Sequence, residues 1–210
     1  MIFKFFLILH LLFLFPLKVS WGVEGCRETN QEMHIGIDVL KQGGYVVFFR
    51  HTERNSAART PGPLSDIDND GECIDGTVLT ENGIVQSEMI REKIKKENII
   101  ISDYISSPTC RTRQMASILS EGDDFEISRS LIYGTMRFPH EIPALREELY
   151  RIFDRPIPEG SNRILTSHGR VLDLIDFITP WLCQGDALVF KPLSFGHYKF
   201  IGIIRLREWN

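Results

Sequence analysis

The sequence predicts a single α/β domain: three layers, helices on both faces of a mostly parallel central sheet. Two observations carry this. Short apolar runs bounded by Gly and polar residues alternate with stretches of helical period along the chain. The strongest of these runs, Tyr45–Phe49, is apolar at every position, which suits a strand buried on both faces, as in a sheet covered by helices above and below. The length of 210 residues and a hydrophobic share of 43% suit one sizeable core.

Taken in order, residues 1–22 (MIFKFFLILHLLFLFPLKVSWG) read as a signal peptide. An early Lys4 precedes an apolar stretch from Phe5 to Phe15, then Pro16 and the small residues Ser20 and Gly22. That stretch is short of the roughly 20 apolar residues a membrane-spanning helix needs. Cleavage after Gly22 leaves residues 23–210 as the mature domain, periplasmic or secreted, with no stable membrane span. A retained anchor is the alternative, as is a lipoprotein attached through Cys26 of the sequence VEGC. Export bears on the four cysteines, Cys26, Cys73, Cys110 and Cys183. An even number in an oxidising compartment favours disulfides, and none is spaced C-x-x-C as a zinc site would require.

The segment 30–44 reads as a helix, capped by Asn30, with Ile35, Val39 and Leu40 as its apolar stripe and Gly43–Gly44 as its stop. The strand 45–49 follows. Residues 52–78 are polar and rich in Gly, Pro and Asp, the composition of a long functional loop. Their acidic run DIDNDGE lacks the glutamate that closes a calcium loop and reads as a solvated turn. A helix opens at the cap Thr80, with Ile84, Ile90 and Ile94 on its buried side and REKIKKEN as its solvated end. A strand over 99–106 leads to a helix with Ser107 as cap and Pro108 in the first turn, ending at Gly122. A short strand near 125–127, a helix over 142–153, and a strand–turn–helix unit in NRILTSHGRVLDLIDFI come next, and two strands close the chain. His34 and His197 read as a surface and a strand-face residue, and His140 as part of a loop.

Three strand ends carry similar chemistry. Arg50 and His51 follow the first strand, His168 follows a later one, and Arg111 lies in the first turn after the second. Parallel strands bring their carboxyl ends to one edge of the sheet, where α/β proteins bind ligands. Two guanidiniums offer planar forks for phosphate oxygens, a helix start adds a favourable field, and two imidazoles supply a nucleophile and a partner. The same arginines would repel a metal cation from the histidines. With a net charge of −4 the chain as a whole has no attraction for nucleic acid.

FFRHTE, LTENGIVQSEMI, SSPTCRTRQMA and LTSHG, in that order, resemble the histidine phosphatase superfamily, which includes the cofactor-dependent phosphoglycerate mutases. The likeness covers residues 43–206. It implies the phosphoglycerate mutase-like fold and a phosphatase in which His51 attacks phosphorus and becomes a phosphohistidine that water hydrolyses. Arg50, Arg111 and His168 would hold the phosphoryl oxygens, with Glu53 and Asn55 also contacting substrate and no metal or organic cofactor taking part. His51 must be neutral to attack, so its other ring nitrogen should donate to a fixed acceptor such as a backbone carbonyl. The family's proton donor is missing: Tyr133 stands where mutase-like members place Glu, and Gly169 where acid phosphatases place an acid. Glu141, Asp186, Glu53 and Asp66 are the candidates to replace it. The pattern is nearest the phosphohistidine-phosphatase and exported lipopolysaccharide-phosphatase-like branches, which implies a phosphorylated small molecule or envelope glycan or lipid as substrate. A non-catalytic module that binds phosphate or a phosphoglycan in the same pocket is the alternative. Cys73 and Cys110, each beside a site motif, are expected to form a disulfide.

Overall fold

The computed structural model describes residues 33–55, 77–122, 124–132, 134, 137–194 and 196–210. The expected leader (1–22), Asn30, Cys26, Cys73, Asp66 and Tyr133 lie outside the described residues, as does the span 56–76 of the long loop.

Six strands form one sheet in the order β3-β2-β4-β1-β5-β6. They are β1 (Val46–Arg50), β2 (Ile100–Ser106), β3 (Glu126–Ile127), β4 (Ser161–Ser167), β5 (Ala187–Ser194) and β6 (His197–Ile204). The β3–β2, β2–β4 and β4–β1 pairs are parallel, while β5 runs against both β1 and β6, so five strands share one direction. Side chains of a strand alternate between faces, and β1 shows what that alternation buries. Val47 and Phe49 enter one core, with Ile90, Ile94, Met115 and Leu119. Val46 and Phe48 enter the other, with Leu145, Leu149, Ile152 and Phe153. The first core lies beneath α1 (Glu81–Lys96) and α2 (Cys110–Ser120), the second beneath α3 (Ile142–Asp154). These are the three expected layers. Every residue of β4 is buried, Arg163 included, and that cation is matched by Asp103 at 2.5 Å and by the carbonyls of Ile152, Arg155 and Pro156.

Five local expectations need correction. The 30–44 helix is only a 3₁₀ turn, Ile37–Gln42, because the preceding residues pair with the sheet edge: Ile35 N donates to Ile203 O, and His34 bridges to Ile203. His34 is accordingly no bare surface residue; its Nε2 accepts from buried Arg205 at 2.7 Å. Gly43 does stop the turn, at φ 70°, where a Cβ would lie 2.4 Å from the Gly160 backbone. In α1, Thr80 caps as expected, accepting from Gly83 N, but Ile84 is exposed, and Gly83, Gln86 and Ser87 occupy the inward face ahead of Ile90 and Ile94. Helix α2 starts at Cys110 with Thr109 at its N-cap rather than at Ser107–Pro108, since Ser107 N still follows the ladder, donating to Thr166 O. After β4 no α-helix forms, only a 3₁₀ turn Leu172–Ile175. Carbonyls a helix would use there accept instead from Arg137 (Val171), Arg146 (Leu174) and Tyr198 (Ile175).

Candidate active site

The register of the two central strands builds the site. Arg50 of β1 lies opposite Ser167 of β4, so the next residues on each strand, His51 and His168, leave the sheet side by side. His51 N donates to Ser167 O, and the two imidazoles stand edge to face with centroids 5.5 Å apart. Arg50 is held by the turn before β5. Its amide donates to Asp186 O, its Nη1 to Leu182 O at 2.5 Å, and Gly185 N donates back to the carbonyls of Arg50 and His51.

Both histidines are buried and held differently. His51 Nδ1 lies 2.8 Å from Thr52 O. A carbonyl only accepts, so Nδ1 carries the proton and Nε2 the lone pair. His168 Nδ1 lies 3.2 Å from Arg111 Nη2. A guanidinium only donates, so here Nδ1 is the acceptor, and Nε2–H points to Ser107 Oγ at 3.1 Å, with Thr109 Oγ1 at 3.4 Å. Burial first, and then the charge of Arg111, holds both imidazoles well below their ordinary value of 6.5. Both are therefore neutral at pH 7. Arg50 and Arg54 act in the same direction, and His51 lowers His168 further.

Thus Arg50, His51, Arg111 and His168 come together as the sequence led us to expect, and the acceptor for His51 is the expected carbonyl. The carboxylates do not join them. Glu53 faces the start of α1, accepting from Thr80 Oγ1 at 2.7 Å and Asn82 Nδ2 at 2.8 Å. Glu141 accepts from Arg129 and from Phe138 N, and that amide, ahead of Arg129, lowers its pKa, so it is held ionised and carries no proton to donate. Asp186 is buried against Arg205 at 2.6 Å and accepts from Cys183 N and Leu206 N. Burial raises its pKa, with Arg205 opposing, but both oxygens are already bonded within the fold. Asn55 is exposed, its amide donating to Val78 O.

Arg54 was missed. It lies three residues past His51 in a stretch read only as polar, and its charge reaches both histidines. Its spacing from Arg50, across a histidine, was the available signal. Ser107 is expected as a helix cap, and nothing in the sequence at Ser107 or Thr109 points to His168. Cys110 and Cys183 are buried, and neither is a free thiol. Among the described residues no group of three or more His, Cys, Asp or Glu could hold a metal ion. The arrangement can place a lone pair on a tetrahedral anion whose oxygens face guanidiniums.

No protein-family model matches the chain, and no curated protein matches it by sequence. Solved structures do. The protein histidine phosphatase SixA, complexed with tungstate, is 15% identical with a TM-score of 0.54, over 79% of this chain and 99% of that one. A mycobacterial glucosyl-3-phosphoglycerate phosphatase is 13% identical with a TM-score of 0.53, over 76% and 98%. Phosphoserine phosphatase from Entamoeba histolytica, in complex with 3-phosphoglyceric acid, is 15% identical with a TM-score of 0.50, over 79% and 99%. The fold of the chain is the phosphoglycerate mutase-like histidine phosphatase fold.

Proposed function

We propose that this chain, built on the histidine phosphatase fold, is an exported phosphatase that hydrolyses a phosphomonoester or phosphoramidate through a phosphohistidine on His51. The observation that carries the reading is the state of His51: buried, neutral, with Nδ1 tied to Thr52 O and Nε2 left as the nucleophile. In-line attack by Nε2 forms the N–P bond as the bond to the leaving group breaks. Arg50 and Arg111 take the negative charge spread over the equatorial oxygens, the largest expected term in phosphoryl transfer. The arriving anion also offsets the field that keeps His168 neutral, so His168 gains proton affinity when a phosphoryl group is present and can donate to it. Water then attacks the phosphohistidine and releases phosphate. Glu53, Glu141 and Asp186 are bonded elsewhere, which favours leaving groups that depart without a proton from the protein, or that take one from water.

Export is supported by the leader-like residues 1–22 and by the bonded state of Cys110 and Cys183. We pair Cys110 with Cys73, which would tie the long loop to the residue preceding Arg111. The substrate is then an envelope or extracellular phosphate.

The test is turnover of an aryl phosphate by residues 23–210, with an alkaline quench to preserve phosphohistidine and the His51→Ala variant alongside. Turnover with label on His51 supports the reading. Phosphate binding with neither turnover nor label would replace it with the binding module.

A further inference from the structure

The orientation of His51 is set from α1 through a single peptide unit. The carbonyl of the Thr52–Glu53 peptide accepts from His51 Nδ1 at 2.8 Å, and the N–H of the same peptide donates to Gln86 Oε1 at 3.0 Å. An N–H donor fixes which way the Gln86 amide points, because only its oxygen accepts. Gln86 is buried on the inward face of α1, and its Nε2 is buried with no hydrogen bond. Buried polar atoms without partners are rare enough to need a reason. The reason here is that the side chain is held for its oxygen.

The neighbours of Gln86 grip the same segment but not the same N–H. Thr52 Oγ1 meets Ser87 Oγ at 2.8 Å, and Thr80 N donates to Glu53 O at 3.0 Å. Gly83 gives the segment room, since a Cβ there would lie 2.0 Å from Glu53 O. Hydrogen bonds in series polarise one another, so a peptide that donates to Gln86 is a better acceptor for His51. We propose that Gln86 is a positioning residue for the nucleophile: through the Thr52–Glu53 peptide it keeps the proton on His51 Nδ1 and the lone pair on Nε2. This rests on His51 being the nucleophile.

The test uses ¹⁵N spectra of the histidine side chains at pH 7, with His51 assigned by its loss in His51→Ala, together with the rate of His51 labelling by an aryl phosphate. Wild type should show the Nδ1–H tautomer alone. Gln86→Met removes the acceptor at similar volume. It should mix the tautomers and slow labelling roughly tenfold, the lower end of what losing a group that orients a working imidazole costs, with KM unchanged. Gln86→Glu presents an oxygen to Glu53 N and should restore the tautomer and most of the rate. A merely structural Gln86 would lower the melting temperature of Gln86→Met and leave tautomer and labelling as in wild type, which overturns the proposal. If Gln86→Met does not fold, wild type decides: a dominant Nε2–H tautomer overturns it. Absence of label in wild type would end the phosphatase reading while leaving the tautomer spectra to judge Gln86.

Discussion

The ends of β1 and β4 are neighbours in one sheet and each presents a buried histidine, yet the two are held by different kinds of group. His51 is bonded to a backbone carbonyl, itself pinned from α1. His168 is bonded to side chains, Arg111 on one nitrogen and Ser107 on the other. Backbone cannot rotate away, whereas a guanidinium and a hydroxyl can. The proposed mechanism asks for this difference: a nucleophile at His51 needs a fixed lone pair, and a group at His168 that answers the arriving charge needs partners that can be exchanged. The contrast teaches that equal burial and the same direction of pKa shift do not imply equal roles.

The most severe way to break the contrast is to remove each imidazole in turn. His51→Ala should abolish label and lower turnover by on the order of 10⁴ or more. His168→Ala should leave label on His51 but slow its formation by about 10²-fold; equal loss of label in both variants would show that the two are not distinct. The frame behind His51 is the next target. Asp186→Ala leaves Arg205 buried without its carboxylate and should destabilise the fold by about 3–5 kcal/mol in denaturant unfolding, loosening the turn that holds Arg50.

The shared field can then be sharpened by pH. Each histidine has its pKa lowered, so the acid limb of kcat/KM should lie below 6.5. Arg111 is the largest charged contributor to both, and a positive charge disfavours imidazolium. Arg111→Met should therefore move that limb upward, with a loss of roughly 10²–10³ in kcat/KM. An unmoved limb would mean that Arg111 does not set the state of either imidazole. Ser107→Ala is the mildest change. Among the described residues its hydroxyl meets His168, and its loss should cost a few-fold in labelling rate, with the wild-type tautomer of His51 retained.

The sheet and the central four residues were legible because their signals are local. An apolar run ending in Arg-His, and a second ending in Ser-His-Gly, are what strands look like when they stop at a polar edge. What escaped depends on tertiary partners. The inward face of α1 was read through Ile84, yet Gly83, Gln86 and Ser87 fill it, since that turn packs on the backbone after β1 and not on the apolar core. Ser107 before Pro108 has the local chemistry of a helix cap, but the β-ladder carries through it and turns its hydroxyl to a histidine 61 residues away. Glu53, Glu141 and Asp186 looked alike as acids, and only their neighbours separate a helix-start contact, an arginine partner and a buried ion pair. Arg54 could have been noticed.

The insertion of β4 between β1 and β2 carries a consequence for how the molecule comes into being. The link from Tyr45 to Asn162 spans 117 residues, and Arg163 is neutralised from β2 and α3 at once. Closing so long a loop costs entropy before the contacts return it, which slows folding. A chain growing from its N-terminus holds β1, with Arg50 and His51, long before β4 emerges to seat His168 beside them. The candidate site is thus among the last parts of the fold to be completed, and any species stalled before β4 docks carries His51 without its pocket.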